Sequence, residues 1–169
     1  MPVDKQQLFS LLEAIDESLS ARIRINAVGG TALTLLGLKA STIDVDFDMN
    51  KNDYVVLRKT LDALQPGYRI DLFAEGMIFS QQLPEDYLSK CVEIRKLEKI
   101  DLYSIAPIDI VASKIGRLNE RDIQDIKQIL KHYRLTKRQV KLRASKIGYA
   151  GNDENYQHNL NYVLTRLFE

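Results

Sequence analysis

Hydrophobic residues recur along this chain with two periods. Leu8, Leu11, Leu12, Ile15 and Leu19 fall three and four apart, which lines them along one side of a helix from about Asp4 to Leu19, with Asp4 as its cap. Ile23, Ile25 and Ala27 instead alternate with Arg24 and Asn26, the period of a strand. That strand stops at Gly29-Gly30, and Thr31 to Leu36 favour a helix that lasts until Gly37. The unit is strand, glycine turn, helix.

Ile43-Asp44-Val45-Asp46-Phe47-Asp48 alternates strictly between apolar and acidic residues, so it predicts a strand with one face made of carboxylates. Asn52 or Asp53 caps the next helix, which runs through Val56, Leu57, Leu61 and Leu64 and is ended by Pro66-Gly67. Tyr68 to Phe73 returns as a strand carrying Asp71. Residues 77 to 103 are mixed, with a helical turn at Pro84 to Leu88, a strand at Val92 to Leu97 and another at Ile100 to Tyr103.

Helices dominate from there. Pro107 suits the first turn of a helix through Ile110, Val111 and Ile115, and a second helix spans about Glu120 to His132. Thr136 with Gln139 forms a capping-box pattern for a basic helix to about Ile147, and Tyr156, Leu160, Val163, Leu164 and Leu167 make a last apolar stripe. The expected fold is α+β: a short mixed β-sheet flanked by helices in a core of residues 1–105, with a helical C-terminal extension of residues 106–169 packed on it.

Composition is that of a folded globular chain: 169 residues, 45% hydrophobic and 28% charged. The opening Met1-Pro2-Val3-Asp4-Lys5 lacks the layout of a signal peptide, and the most apolar stretch, Ala27 to Leu38, is too short to span a bilayer, so a cytoplasmic protein with no membrane role is expected. Cys91, the single cysteine, reads as a structural thiol, and His132 and His158 stand apart from any second ligand. The net charge of +1 conceals segregation, since residues 127–149 hold eight Lys/Arg and no Asp or Glu. A segment of this kind can dock an RNA backbone or an acidic protein, here over residues 127–146. Tyr133, Tyr149, Tyr156 and Tyr162 lie near it, as packing residues or as stacking partners for bases.

Candidate chemistry begins with Asp44 and Asp46. Two apart on a strand, they share a face and can share a divalent cation, with Asp48 extending the row. Like charges in such a row repel unless solvent, basic partners or metal lie nearby. Hard oxygen ligands suit Mg²⁺ or Mn²⁺, and Mg²⁺ takes one or two protein carboxylates with phosphate oxygens and water, which makes a nucleoside triphosphate the natural co-ligand. Asp71 offers a third carboxylate if its strand lies beside the first. Gly29 and Gly30 allow close backbone approach, and Thr31 at a helix start presents N–H groups and a hydroxyl to phosphate. Lys39, between the turn and the acidic strand, is a minor phosphate candidate. An EF-hand reading of the acidic run fails, because Met49 stands where that loop needs glycine and Val55 where it needs glutamate.

Val28-Gly29-Gly30-Thr31-Ala32-Leu33, Gly37-Leu38-Lys39 and Ser41-Thr42-Ile43-Asp44-Val45-Asp46-Phe47 together resemble the signature of the nucleotidyltransferase-like superfamily that includes polymerase beta. Within it, the chain resembles small prokaryotic minimal nucleotidyltransferases and AbiEii-type toxins of toxin–antitoxin pairs. The resemblance covers roughly residues 23 to 130, with the third acid at Asp71 and a helical motif at Lys114, Arg117, Arg121, Asp122 and Asp125. It implies that Gly29, Gly30 and Thr31 hold phosphates, Asp44 and Asp46 the metals, Asp71 the attacking group and Lys114 the triphosphate charge, with Arg121 beside the nucleotide and Asp122 and Asp125 as supports. The implied activity is transfer of a nucleoside monophosphate to a hydroxyl on RNA, a protein or a small molecule, with a cognate antitoxin as a partner in the toxin case. The alternative is a catalytically silent nucleotide-binding or interaction module with the same fold.

Overall fold

In the computed structural model, residues 1–151 and 153–168 are described. The chain runs β1 (Val3–Asp4), α1 (Lys5–Ser18), β2 (Ile23–Ala27), α2 (Gly29–Leu35), β3 (Ser41–Thr42), β4 (Val45–Met49), α3 (Lys51–Leu64) and β5 (Ile70–Ala74). It continues through β6 (Met77–Ile78), β7 (Gln81–Gln82), α4 (Tyr87–Lys90), β8 (Val92–Lys96) and β9 (Ile100–Ser104). Helices α5 (Pro107–Ile115), α6 (Glu120–Tyr133) and α7 (Lys137–Ala144), strand β10 (Gly148–Tyr149) and helix α8 (Asp153–Arg166) complete it. Two compact units result, one of Met1–Gly76 with Lys90–Ile105, the other of Met77–Ser89 with Ala106–Glu169.

The first unit holds the mixed α+β sheet that the strand pattern predicts, in the order β5-β4-β2-β9-β8. β4 runs parallel to β5 and antiparallel to β2, β2 runs parallel to β9, and β9 runs antiparallel to β8. Because paired residues share a face, the register divides the sheet sharply. One face collects Ile23, Ile25, Ala27, Val45, Phe47, Met49, Ile100 and Leu102, all buried. Helix α3 packs on β2, β4 and β5, and α1 packs on α3. The other face carries Asn26 opposite Asp48 and Tyr103, Asp46 opposite Asp71, and Arg24 opposite Asp101.

Helix starts follow from local chemistry. The Asp4 carboxylate accepts the Gln7 N–H at 2.8 Å and the Gln7 side chain accepts the Asp4 N–H at 2.9 Å, a reciprocal cap on α1. For α3 the cap is Asn50, not Asn52 or Asp53, because β4 extends to Met49 and the helix begins at Lys51. Asp53 stands inside the first turn instead, where its carboxylate accepts the Arg24 N–H at 3.0 Å and ties α3 to β2. The helix ends at Leu64 and is followed by Gln65, left-handed at φ 47°, whose N–H donates to the Leu61 carbonyl.

In the second unit β6 and β7 form a hairpin whose turn residues Phe79 and Ser80 both have positive φ, matching the strand twist, and β10 pairs with β7. Helix α5 is its hub, in contact with α6, α7 and α8. The last turn of α5 would leave carbonyls orphaned. Here Tyr156 Oη donates to Ala112 O, Gln81 Nε2 to Ser113 O, Leu118 N to Lys114 O and Asn159 Nδ2 to Ile115 O. A Cβ at Gly116 would stand 2.6 Å from Gln81 Nε2, so a larger residue there would have to displace that amide. Arg143 is buried and forks Asp109 at 2.6 and 2.9 Å while also reaching Asp86 at 2.7 Å. Burial alone would lower the Arg143 pKa, but its bonds to Asp109 and Asp86 outweigh that and raise it. The predicted capping box of Thr136 and Gln139 opens α7, which stops at Ala144 rather than near Ile147. Among the described residues no helix is long and apolar enough to cross a membrane.

Candidate active site

The site in the first unit is organised around one hydroxyl. Thr31, fully buried in the first turn of α2, donates from Oγ1 to the Asp44 carbonyl at 3.1 Å and accepts the Asp46 N–H at 2.9 Å. Thr42 Oγ1 donates to the same Asp44 carbonyl at 2.8 Å, and Val28 N donates to the Asp46 carbonyl at 3.2 Å. The backbone that carries the acids is therefore clamped to the glycine turn. The hydroxyl expected on phosphate is committed to this clasp instead, because the strand entry leaves buried backbone groups that need partners.

Gly29 has φ 58°, a conformation in which glycine costs least. At Gly30 a Cβ would lie 2.7 Å from Thr42 Oγ1 and 4.0 Å from Lys39 Nζ. The side chain of Thr42 thus occupies the space a larger residue would need, and the Lys39 ammonium stands over the turn. Val28, the residue before α2, contributes no side-chain cap, so the first N–H groups of this short helix have no side-chain acceptor from it.

Asp46 and Asp71 are direct partners in the parallel register of β4 and β5. Asp46 is 7% exposed, while the Asp71 side chain is 38% exposed and lies 3.5 Å from Arg69 Nε. Asp44 falls outside the ladder, in the exposed bend before β4, because the strand begins at Val45 and not at Ile43. Asp48 is fully buried and accepts the Gly76 N–H at 2.9 Å, so this fourth acid pins the turn after β5. Among the described residues no group of three or more His, Cys, Asp or Glu side chains is gathered to hold a metal ion. Two carboxylates, Asp46 and the part-exposed Asp71, match in number the preference of Mg²⁺ for one or two.

Sequence reasoning passed over Thr42 and the polar neighbours on the same face. Arg24 Nε donates to Asn26 Oδ1 at 2.9 Å, and its guanidinium carbon lies 3.8 Å from the centre of the Tyr103 ring. Alternation along β2 marked Arg24 and Asn26 as one face; only the pairing with β4 shows that it is the acid-bearing face.

The helical motif lies in the second unit. Lys114 is 8% exposed, with Nζ 3.3 Å from Asp122 Oδ1 and 3.1 Å from Asp125 Oδ2. Arg117 forks Asp122 at 2.8 Å through both Nε and Nη2, and Asp122 also closes the capping box of α6 with Asn119. Burial pushes the Asp122 carboxyl up, but the Arg117 bonds, the Lys114 charge and the Asn119 N–H outweigh it and hold the group below its ordinary value. Arg121 is exposed, and Lys114 is a cation on Asp125.

A mixed sheet entered by a glycine turn, with paired acids on adjacent parallel strands, is a nucleotidyltransferase fold. The chain belongs to the family described as nucleotidyltransferase of unknown function (DUF6036), whose model matches residues 6–164. The fold is shared with ANT(2″)-Ia in the crystal structure of its complex with adenylyl-2″-tobramycin, with TM-score 0.56 and 11% identity over 83% of this chain and 94% of that one. It is shared likewise with the solution structure of antibiotic-resistance factor ANT(2″)-Ia, with TM-score 0.55 and 10% identity over 83% and 91% of the two chains. No curated protein matches the sequence.

Proposed function

We propose that the protein transfers a nucleoside monophosphate from a nucleoside triphosphate to a hydroxyl acceptor with the help of Mg²⁺ or Mn²⁺. The observation that carries this is the opposition of Asp46 and Asp71 across β4 and β5, beside a glycine turn locked to the same strand by Thr31. Asp46 and Asp71 are the carboxylates that hold the cation, and exposed Asp44 adds negative charge next to them. A bound divalent ion supplies charge neutralisation at the phosphates. The turn at Gly29 and Gly30, with Lys39 over it, binds the triphosphate tail through backbone N–H groups and the ammonium. Asp71, the more exposed of the pair, takes the acceptor proton. The acceptor oxygen forms its bond to the α-phosphorus as the bond to the bridging oxygen breaks, and pyrophosphate leaves.

Acceptor hydroxyls on RNA, protein or a small molecule all satisfy this chemistry; the adenylyl-tobramycin complex of ANT(2″)-Ia is an instance of the last. A toxin role within a toxin–antitoxin pair rests on sequence resemblance, and growth arrest on expression, relieved by the product of a neighbouring gene, is its test. For the reaction itself, the protein is incubated with Mg²⁺ or Mn²⁺, α-labelled triphosphates and fractionated RNA, protein and small molecules. Label enters one fraction with wild type and not with Asp46→Asn. Triphosphate binding without label in any fraction makes the chain a silent nucleotide-binding module.

A further inference from the structure

The basic segment of the second unit presents a surface that the proposed reaction leaves unused. Of its eight cations Arg143 is buried on Asp109 and Asp86, and Lys146 lines a recess with Glu85 and Asp86, so acids neutralise that end. The others are exposed: Lys127 and Lys131 on α6, Arg134 at its C-cap, and Lys137, Arg138 and Lys141 on α7. At 100° per residue, Lys137, Lys141 and Arg138 fall within about a third of the α7 circumference. Val140, Arg143 and Ala144, the buried residues of α7, occupy a separate arc of similar width. The three α7 cations therefore project together, and residues 127–149 contain no acid to quench them.

We propose that this α6–α7 surface docks the phosphodiester backbone of RNA. Two features favour a nucleic acid over an acidic protein. Protein-binding patches concentrate aromatic and apolar anchors and are poor in lysine, whereas this surface is chiefly lysine and its one large apolar exposure is Leu142 at 55%. Exposed His132, edge-on to Tyr133 at 4.8 Å between ring centres, sets an aromatic pair beside Arg134 where an unpaired base can stack. The choice of RNA rests on the transferase reading above, since RNA offers a hydroxyl acceptor on every ribose. Backbone docking would account for a surface with many point charges and few directional side chains.

The test uses the full chain, a labelled single-stranded RNA and fluorescence anisotropy across a salt series, without triphosphate. Wild-type affinity falls steeply with salt, and Lys137→Glu/Arg138→Glu/Lys141→Glu weakens it at least about tenfold and reduces the log–log salt slope by about 2. Thermal melting checks that the variant folds, and Lys137→Gln/Arg138→Gln/Lys141→Gln provides a milder second version with the same direction. Retention with Lys137→Arg/Lys141→Arg supports a charge role. Unchanged RNA binding by both weakened variants overturns the proposal, as does tighter binding of polyglutamate or of duplex DNA of the same sequence. Asp46→Asn retains RNA binding while ending transfer, so loss of one property leaves the other measurable.

Discussion

Asp46 and Asp71 face one another across two parallel strands, one nearly buried and the other open to solvent. Unequal exposure gives the two carboxylates different work. Asp46→Asn removes a cation ligand that the backbone holds rigidly, and Asp71→Asn removes the more exposed ligand, which is also the group that accepts a proton. Asp71→Asn lowers the transfer rate by about 10²–10⁴-fold, the range expected of a positioned general base, and Asp46→Asn lowers it through loss of the cation. For Asp71→Asn the triphosphate dissociation constant moves far less than the rate, as equilibrium dialysis and single-turnover assays will register.

Thr31 is predicted to be a positioning residue. Thr31→Val keeps the shape but leaves the Asp46 N–H and one bond to the Asp44 carbonyl unmade in a buried place, costing about 1–3 kcal/mol in a urea melt. Thr31→Ser retains the hydroxyl and most of the stability. A merely structural change would leave the pH profile of transfer unaltered, whereas movement of the acid-bearing strand shifts it.

Gly30→Ala brings a Cβ to 2.7 Å from Thr42 Oγ1 and costs about 1–3 kcal/mol as an overpacked site. Thr42→Ala removes that oxygen, and the remaining contact at 3.5 Å is ordinary. The double variant is consequently more stable than the sum of the singles, a coupling that thermal melts can resolve.

Lys114 and Asp122 make a separate prediction for stability. Lys114→Met removes the buried cation shared by Asp122 and Asp125, with Arg117 still on Asp122, and costs about 3 kcal/mol. The depressed Asp122 pKa fixes the sign with pH: its stabilisation is complete above the unfolded value of about 4 and is lost as pH falls through the lower folded value. Asp122→Asn lowers stability at neutral pH and flattens this acid limb, which urea midpoints from neutral pH down into the acid range will follow.

Much of this arrangement was legible in the chain. Alternating acids marked β4, a glycine pair marked the turn, and capping patterns at Asp4 and Thr136 marked helix starts because each depends on neighbours within a few residues. What depends on register was not legible. Asp71 could be placed on a strand, but its opposition to Asp46 needs the parallel pairing of β4 with β5. The Thr31 hydroxyl was expected on phosphate because nothing local reveals that strand entry leaves the Asp46 N–H without a partner. Likewise Asp125 was expected only as a support and Lys114 on the triphosphate, while the bond between the two comes from the packing of α5 on α6.

The most direct measurement follows the two ends of a doubly labelled triphosphate. With wild type and Mg²⁺ or Mn²⁺, the α-label enters the acceptor and the γ-label leaves in pyrophosphate, while Asp71→Asn binds the triphosphate and moves neither label. Release of γ-label as inorganic phosphate, or α-label transfer undiminished in Asp71→Asn, contradicts a nucleotidyl transfer built on the Asp46–Asp71 pair.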